Sequence, residues 1–323
     1  MPERFLVIMI KRIFRCIVAL TAAALMLGAM PASAADMPAW LKDLNGITVT
    51  QPTEEEVKQQ EQDAAELEQW REKKRNLKVP ILLYHHITTE SFTPDEAVSL
   101  ISPSDFRFHM TAIKVHFTPI SLRSYYDYVM CDDGSIDLPD NPIIVTFDDG
   151  YLSNYEIAYP ILKELEIPAT IFVVTDTVGA VAGEGKVNHS HFTWEQAKEM
   201  EASGLIEIQS HTVNHKRMTD LSYGEMVRQL RKSKYDVERG LGRECDMIAY
   251  PYGDYNEGIR AAARKAGYKM QLLVDDKTTE EDYDVNVPSE GVENVTRMTI
   301  AGSMGNVNVI EIIRKTINKK IIE

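Results

Sequence analysis

From residue 79 onward the chain alternates short apolar runs with longer segments in which apolar positions recur every three or four residues. The short runs cover residues 79–84, 143–147, 169–174, 206–210, 247–250 and 270–274, and their length and continuity predict buried strands. The longer segments at 104–116, 154–165, 194–202, 223–241 and 257–266 predict helices. Gly204 and Gly267 stand just past two of them, where a left-handed residue commonly ends a helix. Strands alternating with helices of this length are expected to run parallel with crossover helices, as an α/β sheet or barrel. In such folds the reacting groups gather at the carboxyl ends of the strands.

The chain before residue 79 follows a different pattern. Arg4, Lys11, Arg12 and Arg15 precede the apolar run Ile17-Val-Ala-Leu-Thr-Ala-Ala-Ala-Leu-Met-Leu27, and Ala32-Ser-Ala34 follows. That order of basic, apolar and small residues predicts a secretory signal over residues 1–34, and hence an exported protein. An uncleaved membrane anchor is the other reading of the same run. Cys16 lies ahead of the apolar run, which disfavours a lipid-modified cysteine at the cleavage site. Residues 35–78, with Glu54-Glu-Glu-Val-Lys-Gln-Gln-Glu-Gln-Asp63 among them, are rich in charge and helix formers, and predict an acidic helical spacer. The domain proper is expected over residues 79–302, with residues 303–323 forming an amphipathic C-terminal helix packed on it.

Charge and cysteine content narrow the partners. The whole chain carries a formal charge of −14 at pH 7; without Arg4, Lys11, Arg12, Arg15 and Glu3 it becomes −17. An acidic protein of this kind is not expected to bind nucleic acid, or an anionic membrane beyond the signal segment. Cys131 and Cys245 remain after processing, too few for a disulfide framework and without the spacing of a cysteine metal site. Either free thiols or one pair would fit.

Candidate chemistry stands at one end of the predicted strands. The run 143–147 ends in Asp148-Asp149, 206–210 ends in His211-Thr-Val-Asn-His215, 247–250 in Pro251-Tyr-Gly-Asp-Tyr-Asn256, and 79–84 in His85-His86. Adjacent strand residues point to opposite faces, so two neighbouring carboxylates can serve one site only where the chain turns, and Gly150 supplies a turn. Taken alone, Asp-Asp-Gly reads equally as a solvated turn. His211 and His215 are four apart, and one helical turn would place both imidazoles on one face, able to grip a divalent metal. Two histidines and one carboxylate leave a position open for a water, and the second carboxylate is then available as its general base. His109 and His116 read as packing or surface residues. His189 and His191 lie in a loop able to line a groove, and Glu280-Glu-Asp-Tyr-Asp284 reads as a solvated acidic turn.

Thr146-Phe-Asp-Asp-Gly150, Ser210-His-Thr-Val-Asn-His215 and Pro251-Tyr-Gly-Asp-Tyr-Asn256 resemble, in order and spacing, the first three motifs of the polysaccharide deacetylase family (carbohydrate esterase family 4). The resemblance covers roughly residues 79–302. It implies a deformed (β/α) barrel and a divalent metal, most often Zn2+. It implies Asp148 as general base, Asp149, His211 and His215 as metal ligands, and the Tyr252 backbone N–H as a donor to the oxyanion. The family's arginine two residues before the motif proline is replaced here by Ala249, and Arg297, from a late strand-like run, is the candidate substitute; a surface arginine is the other reading. The family's closing Leu-x-His motif has no counterpart after His215. Leu83-Tyr-His85 carries that pattern on the first strand, which resembles the poly-N-acetylglucosamine deacetylase branch and implies His85 as general acid, with His86 structural or at a subsite.

The expectation is therefore an exported, metal-dependent N-deacetylase acting on an N-acetylated glucosamine polymer of the cell wall or of an extracellular biofilm matrix. An O-acetyl esterase on a wall polysaccharide would use the same machinery, and a non-catalytic glycan-binding module would keep the fold alone.

Overall fold

The computed structural model describes residues 53–91, 99–183, 189–274, 284–300, 302 and 305–319. The expected signal segment, the first part of the expected spacer and most of the acidic turn lie outside the described residues. The chain divides into two compact units, Met1–Glu61 and Gln62–Glu323. The described part of the first is a helix start, where Thr53 and Glu56 cap one another: the Glu56 N–H donates to Thr53 Oγ1 and the Thr53 N–H to Glu56 Oε2.

In chain order the elements are α1 (Glu54–Asn76), β1 (Ile81–Tyr84), β2 (His86–Ile87), β3 (Leu100–Ile101), α2 (Pro103–His116), β4 (Thr118–Pro119), α3 (Leu122–Met130), β5 (Pro142–Phe147) and α4 (Tyr159–Glu164). There follow β6 (Ala169–Val173), α5 (Trp194–Ala202), β7 (Ile206–Ser210), α6 (Tyr223–Leu241), β8 (Met247–Ala249), α7 (Glu257–Ala266), β9 (Met270–Leu272), β10 (Met298–Thr299) and α8 (Gly305–Lys319). The main sheet runs β10-β1-β5-β6-β7-β8-β9 with every pair parallel, and β4 pairs beside β5. The stretch 292–300 serves both edges. Its Val292 and Val295 carbonyls accept from the Gln271 and Leu273 N–H groups, and its Ile300 N–H donates to Leu83. Strand β10 within it pairs with β1, so one irregular strand joins β9 to β1 and the sheet curls into a deformed (β/α) barrel.

Alternation along the strands sorts side chains into two layers. Leu82, Tyr84, Val145, Phe147, Ile171, Ile208 and Ile248 face outward under the helices. Ile81, Ile144, Phe172, Met247, Ala249, Met270 and Leu272 fill the interior together with Leu122, Tyr125 and Tyr128 of α3, which closes the lower end of the barrel. Helix α3 is not among the predicted helices, because its short sequence is dominated by aromatic residues of middling helix propensity. Its Ser121 cap and its burial hold it instead. The predicted helix at 154–165 starts as one π-helical turn, Asn154–Ala158, before α4. The later part of α1 is fastened to the same end of the barrel. Trp70 Nε1 donates to the Ile136 carbonyl and packs on Tyr128, and Lys74 donates to the Val129 and Cys131 carbonyls. Val309, Ile312 and Ile313 of α8 are buried in the outer layer, against α2. No helix among the described residues is long and apolar enough to cross a membrane. Cys131 and Cys245 are buried free thiols.

Arg123 of α3 ties the lower end to the strands. Its guanidinium meets Asp246, just before β8, at 2.5 and 3.0 Å, and Glu207 of β7 at 2.8 Å. Burial raises the Asp246 pKa, but hydrogen bonding to Arg123 and the nearby Lys269 outweigh it and leave the net shift downward. A carboxyl with a depressed folded pKa stabilises above its unfolded value, and that contribution fades as pH falls through the folded one. Arg123→Ala should thus cost about 2–4 kcal/mol at pH 7, as expected when a largely buried pair loses one partner. The difference from wild type should shrink below about pH 4, where Asp246 begins to protonate in the unfolded chain. Urea midpoints of both proteins at pH 7 and between pH 3 and 4 measure this.

Candidate active site

The inward face of each strand continues into the loops at its carboxyl end. On β5, Ile144 and Thr146 point inward, and Asp148 is the next residue of that parity. Its N–H still donates to the Tyr84 carbonyl, so the carboxylate stands at the top of the interior and is 1% exposed. Asp149 then takes φ 70° and Gly150 φ 79°, which reverses the chain and lets the second carboxylate serve the same space. A Cβ on Gly150 would come within 2.9 Å of Val173 Cγ1, so a side chain has no room there.

His211 follows Gln209 on the inward face of β7. Its Nδ1 lies 2.9 Å from the Ala249 carbonyl; a carbonyl only accepts, so Nδ1 carries the proton and Nε2 presents its lone pair to the site. Burial drives the His211 pKa down to about 4, against the attraction of Asp148, so the imidazole is neutral at ordinary pH. His215 reaches the same point differently from the expectation. Residues 211–215 do not form a helical turn; Thr212 and His215 have φ of 69° and 56°, and the loop folds back on itself. The physical reason is the anchoring of the loop: the Val213 and Asn214 N–H groups donate to the buried Gln229 side chain of α6, away from a helical ladder.

One ligand atom each from Asp149, His211 and His215 fits within a span of 4.8 Å. His215 Nε2 lies 3.5 Å and His211 Nε2 3.7 Å from Asp149 Oδ1. A neutral imidazole with its outer nitrogen fixed, a second imidazole and a carboxylate form a donor set suited to a divalent cation such as zinc, with room left for water.

Asp148 lies 3.6 Å from His211 Nε2 and is held on its other side by Arg297. That arginine is fully buried, donates from both terminal nitrogens to the two Asp148 oxygens at 2.6 and 2.7 Å, and donates Nε to the Leu273 carbonyl. Its guanidinium lies 5.3 Å from the Phe172 ring centre. Burial works against ionisation of Asp148, yet the charge and hydrogen bonds of Arg297 outweigh it and hold the carboxyl well below its usual range. Arg297 is therefore no surface residue, and it reaches Asp148 from the strand that joins the two edges of the barrel.

His85 has the parity of Ile81 and Leu83, and because Tyr84 pairs with Phe147 it leaves β1 beside Asp148. Its carbonyl accepts from Asn154 Nδ2 at 2.8 Å, and its Nδ1 is buried with no hydrogen-bond partner among the described residues. His86 Nδ1 pairs with Ser153 Oγ at 2.8 Å, and its ring packs on Tyr151 and His189. Burial and the neighbouring Asp149 carboxylate push the Tyr151 hydroxyl pKa up, and its ring packs on His191. Tyr252 takes φ 60° and packs its ring against that of His215 at a steep angle, 4.7 Å between centres. His109 is buried beside Tyr84, and His116 sits at the surface near Arg314. Of the five non-glycine residues with positive φ among the described residues, Asp149, Thr212, His215 and Tyr252 belong to this site. Such conformations cost about 1–3 kcal/mol each where side chains are held in them and concentrate where function demands a geometry.

Sequence reasoning did not single out Tyr151 or the Ala249 carbonyl. Tyr151 carried a usable signal in its place two residues after Asp149. A backbone carbonyl carries none.

The comparisons agree with the geometry. A family model described as polysaccharide deacetylase matches residues 135–271. YxkH of Bacillus subtilis, named as a polysaccharide deacetylase, is 30% identical over 207 residues, which cover 64% of this chain and 68% of YxkH. The poly-beta-1,6-N-acetyl-D-glucosamine N-deacetylase of Staphylococcus aureus is 29% identical over 198 residues, covering 58% of this chain and 66% of that enzyme. Among solved structures, the Streptococcus pyogenes deacetylase PplD in complex with acetate superposes with a TM-score of 0.60 at 26% identity, covering 73% of this chain and 98% of that one. IcaB from Ammonifex degensii superposes at 0.57 and 26% identity, covering 70% and 93%. This chain belongs to the polysaccharide deacetylase family.

Proposed function

We propose that this protein is an exported, metal-dependent N-deacetylase that removes acetyl groups from N-acetylglucosamine units of an extracellular or cell-wall glycan. The observation that carries the reading is the Arg297-bound Asp148 facing the Asp149, His211 and His215 cluster across 3.6 Å. The staphylococcal relative acts, by its name, on poly-beta-1,6-N-acetyl-D-glucosamine, and that polymer is the first substrate to test. The signal-like order of residues 1–34 supports export.

A divalent ion held by Asp149, His211 and His215 would supply Lewis acidity, polarising the acetamide carbonyl and making water more acidic. Asp148, kept ionised by Arg297, takes the proton from the attacking water. The Tyr252 N–H donates to the oxyanion as the carbonyl carbon becomes tetrahedral. His85 gives a proton to the nitrogen as the carbon–nitrogen bond breaks, so that acetate and a free amine leave. The Ala249 carbonyl keeps His211 in the tautomer that presents Nε2.

Acetate release from β-1,6-linked N-acetylglucosamine oligomers by the purified protein should vanish on chelation and return with zinc. Asp148→Asn should abolish it. Release from an O-acetylated glycan alone would make the protein an esterase, and metal binding without any release would make it a binding module. His85→Ala should lower kcat about 10²–10⁴-fold with bound metal retained, as loss of a general acid does; near-normal turnover on the amide would remove His85 from the mechanism. Arg297→Ala should both inactivate and destabilise, by about 3–5 kcal/mol, because it strands a buried carboxylate. Urea unfolding alongside the acetate assay separates these two effects.

A further inference from the structure

The two histidines of the cluster are positioned by different means. His211 has the Ala249 carbonyl behind Nδ1, the kind of hydrogen bond that commonly orients a metal-facing imidazole. His215 meets the ring of Tyr252 instead, with ring planes at 64°. What positions Tyr252 therefore bears on His215.

Tyr252 is 47% exposed, and burial alone does not fix it. Its backbone is supported by Gly253, where φ is 70° and a Cβ would meet the Val274 carbonyl oxygen at 2.8 Å. Its ring is covered by the Arg217 guanidinium, 4.2 Å from the ring centre. Arg217 Nη1 in turn donates to Asp254 Oδ2 at 2.6 Å, and Thr219 Oγ1 donates to the same oxygen at 3.3 Å. Arg217 stands two residues after His215, and Asp254 two after Tyr252. The contacts thus tie the loop after β7 to the loop after β8, with the Arg217 guanidinium of the first lying over Tyr252 and hydrogen-bonded to Asp254 of the second.

We propose that Arg217 and Asp254 form a latch that orients His215 through Tyr252 and so sets the divalent-metal affinity of the site. Arg217 is a positioning residue and touches no reacting atom. The inference rests on the metal-site reading above. An exposed arginine–aspartate pair adds little to global stability, so a latch should show itself in metal binding rather than in folding. Arginine also differs from lysine here, because an ammonium cannot lie flat on the ring while bonding Asp254.

The test is zinc affinity of the whole purified protein, measured by competition with a chromophoric chelator, beside melting of the metal-free protein. Arg217→Ala and Asp254→Ala should each weaken zinc binding about 10-fold or more, the scale found when groups behind a ligand are removed. The double variant should lose no more than the larger single loss, since both belong to one unit. Metal-free melting should fall by no more than about 3 °C. Arg217→Lys should bind zinc as weakly as Arg217→Ala. Zinc affinity of Arg217→Ala within twofold of wild type overturns the latch and leaves the metal site standing, as does wild-type affinity in Arg217→Lys. A large fall in metal-free melting makes the pair a structural tie and also overturns it. Absence of zinc binding in the wild type removes the metal site and the latch together.

Discussion

The ion pair between Arg297 and Asp148 is the constraint around which the upper end of the barrel is organised. Both groups are removed from water, which is costly for each charge alone. The cost is offset only because the geometry is complete: two parallel hydrogen bonds join fork to carboxylate, and Nε finds the Leu273 carbonyl. That arrangement requires the stretch 292–300 to bond β9 and β1 at once. Joining the two sheet edges and positioning the acidic centre are therefore one structural event. The chain from Asp148 to Arg297 spans nearly half the protein, so the pair also makes the site depend on the fold being complete.

Strand parity explains why the rest of the site assembles. The interior faces of β1, β5 and β7 end in His85, Asp148 and His211, so three ionisable groups arrive at one point without further design. Parity alone would exclude Asp149, and it does not reach His215, which stands beyond the end of β7 in a loop. Both are brought to the site by positive φ, at Asp149 itself and at Thr212 and His215. The site thus combines easy placement by strands with a few strained backbone conformations, and Gly150, backed by Val173, shows how little space those turns leave.

This division sets what was legible in the sequence. The alternating pattern pointed to the parallel α/β core and the strand ends, because burial writes a period of two or of 3.6 into the residues themselves. Helices α5, α6 and α7 were readable to their termini for the same reason, with caps at Thr193, Ser222 and Asn256. Helix α3 was not readable, since its burial at the lower end of the barrel is tertiary. The helical turn expected for His211 and His215 came from spacing alone, and spacing cannot distinguish a helix from a loop anchored by Gln229. Arg297 had a sequence signal only through the missing arginine at Ala249. Its burial depends on a strand neighbour far along the chain, and the service of the Ala249 carbonyl to His211 leaves no trace in residue identity.

The same pair that completes the fold also restrains the proposed chemistry. A carboxylate held far below its usual pKa is always ready to accept a proton but has little intrinsic affinity for one. Asp148 could be strengthened as a base by loosening Arg297, yet that would expose the barrel top to an unpaired buried charge. The structure retains the tight pair. In the proposed reaction, proton transfer would then be driven from the other side, by making the water more acidic, which is what a cation at Asp149, His211 and His215 would offer. The proposed base and the proposed metal ligands are in this sense matched to each other: a weak, fully ionised base would be useful only close to the cation, and Asp148 lies 3.6 Å from a histidine that would help to hold it. The doubled aspartate at the end of β5 would place the two proposed functions on adjacent residues, so that one strand end would fix both sides of the transfer.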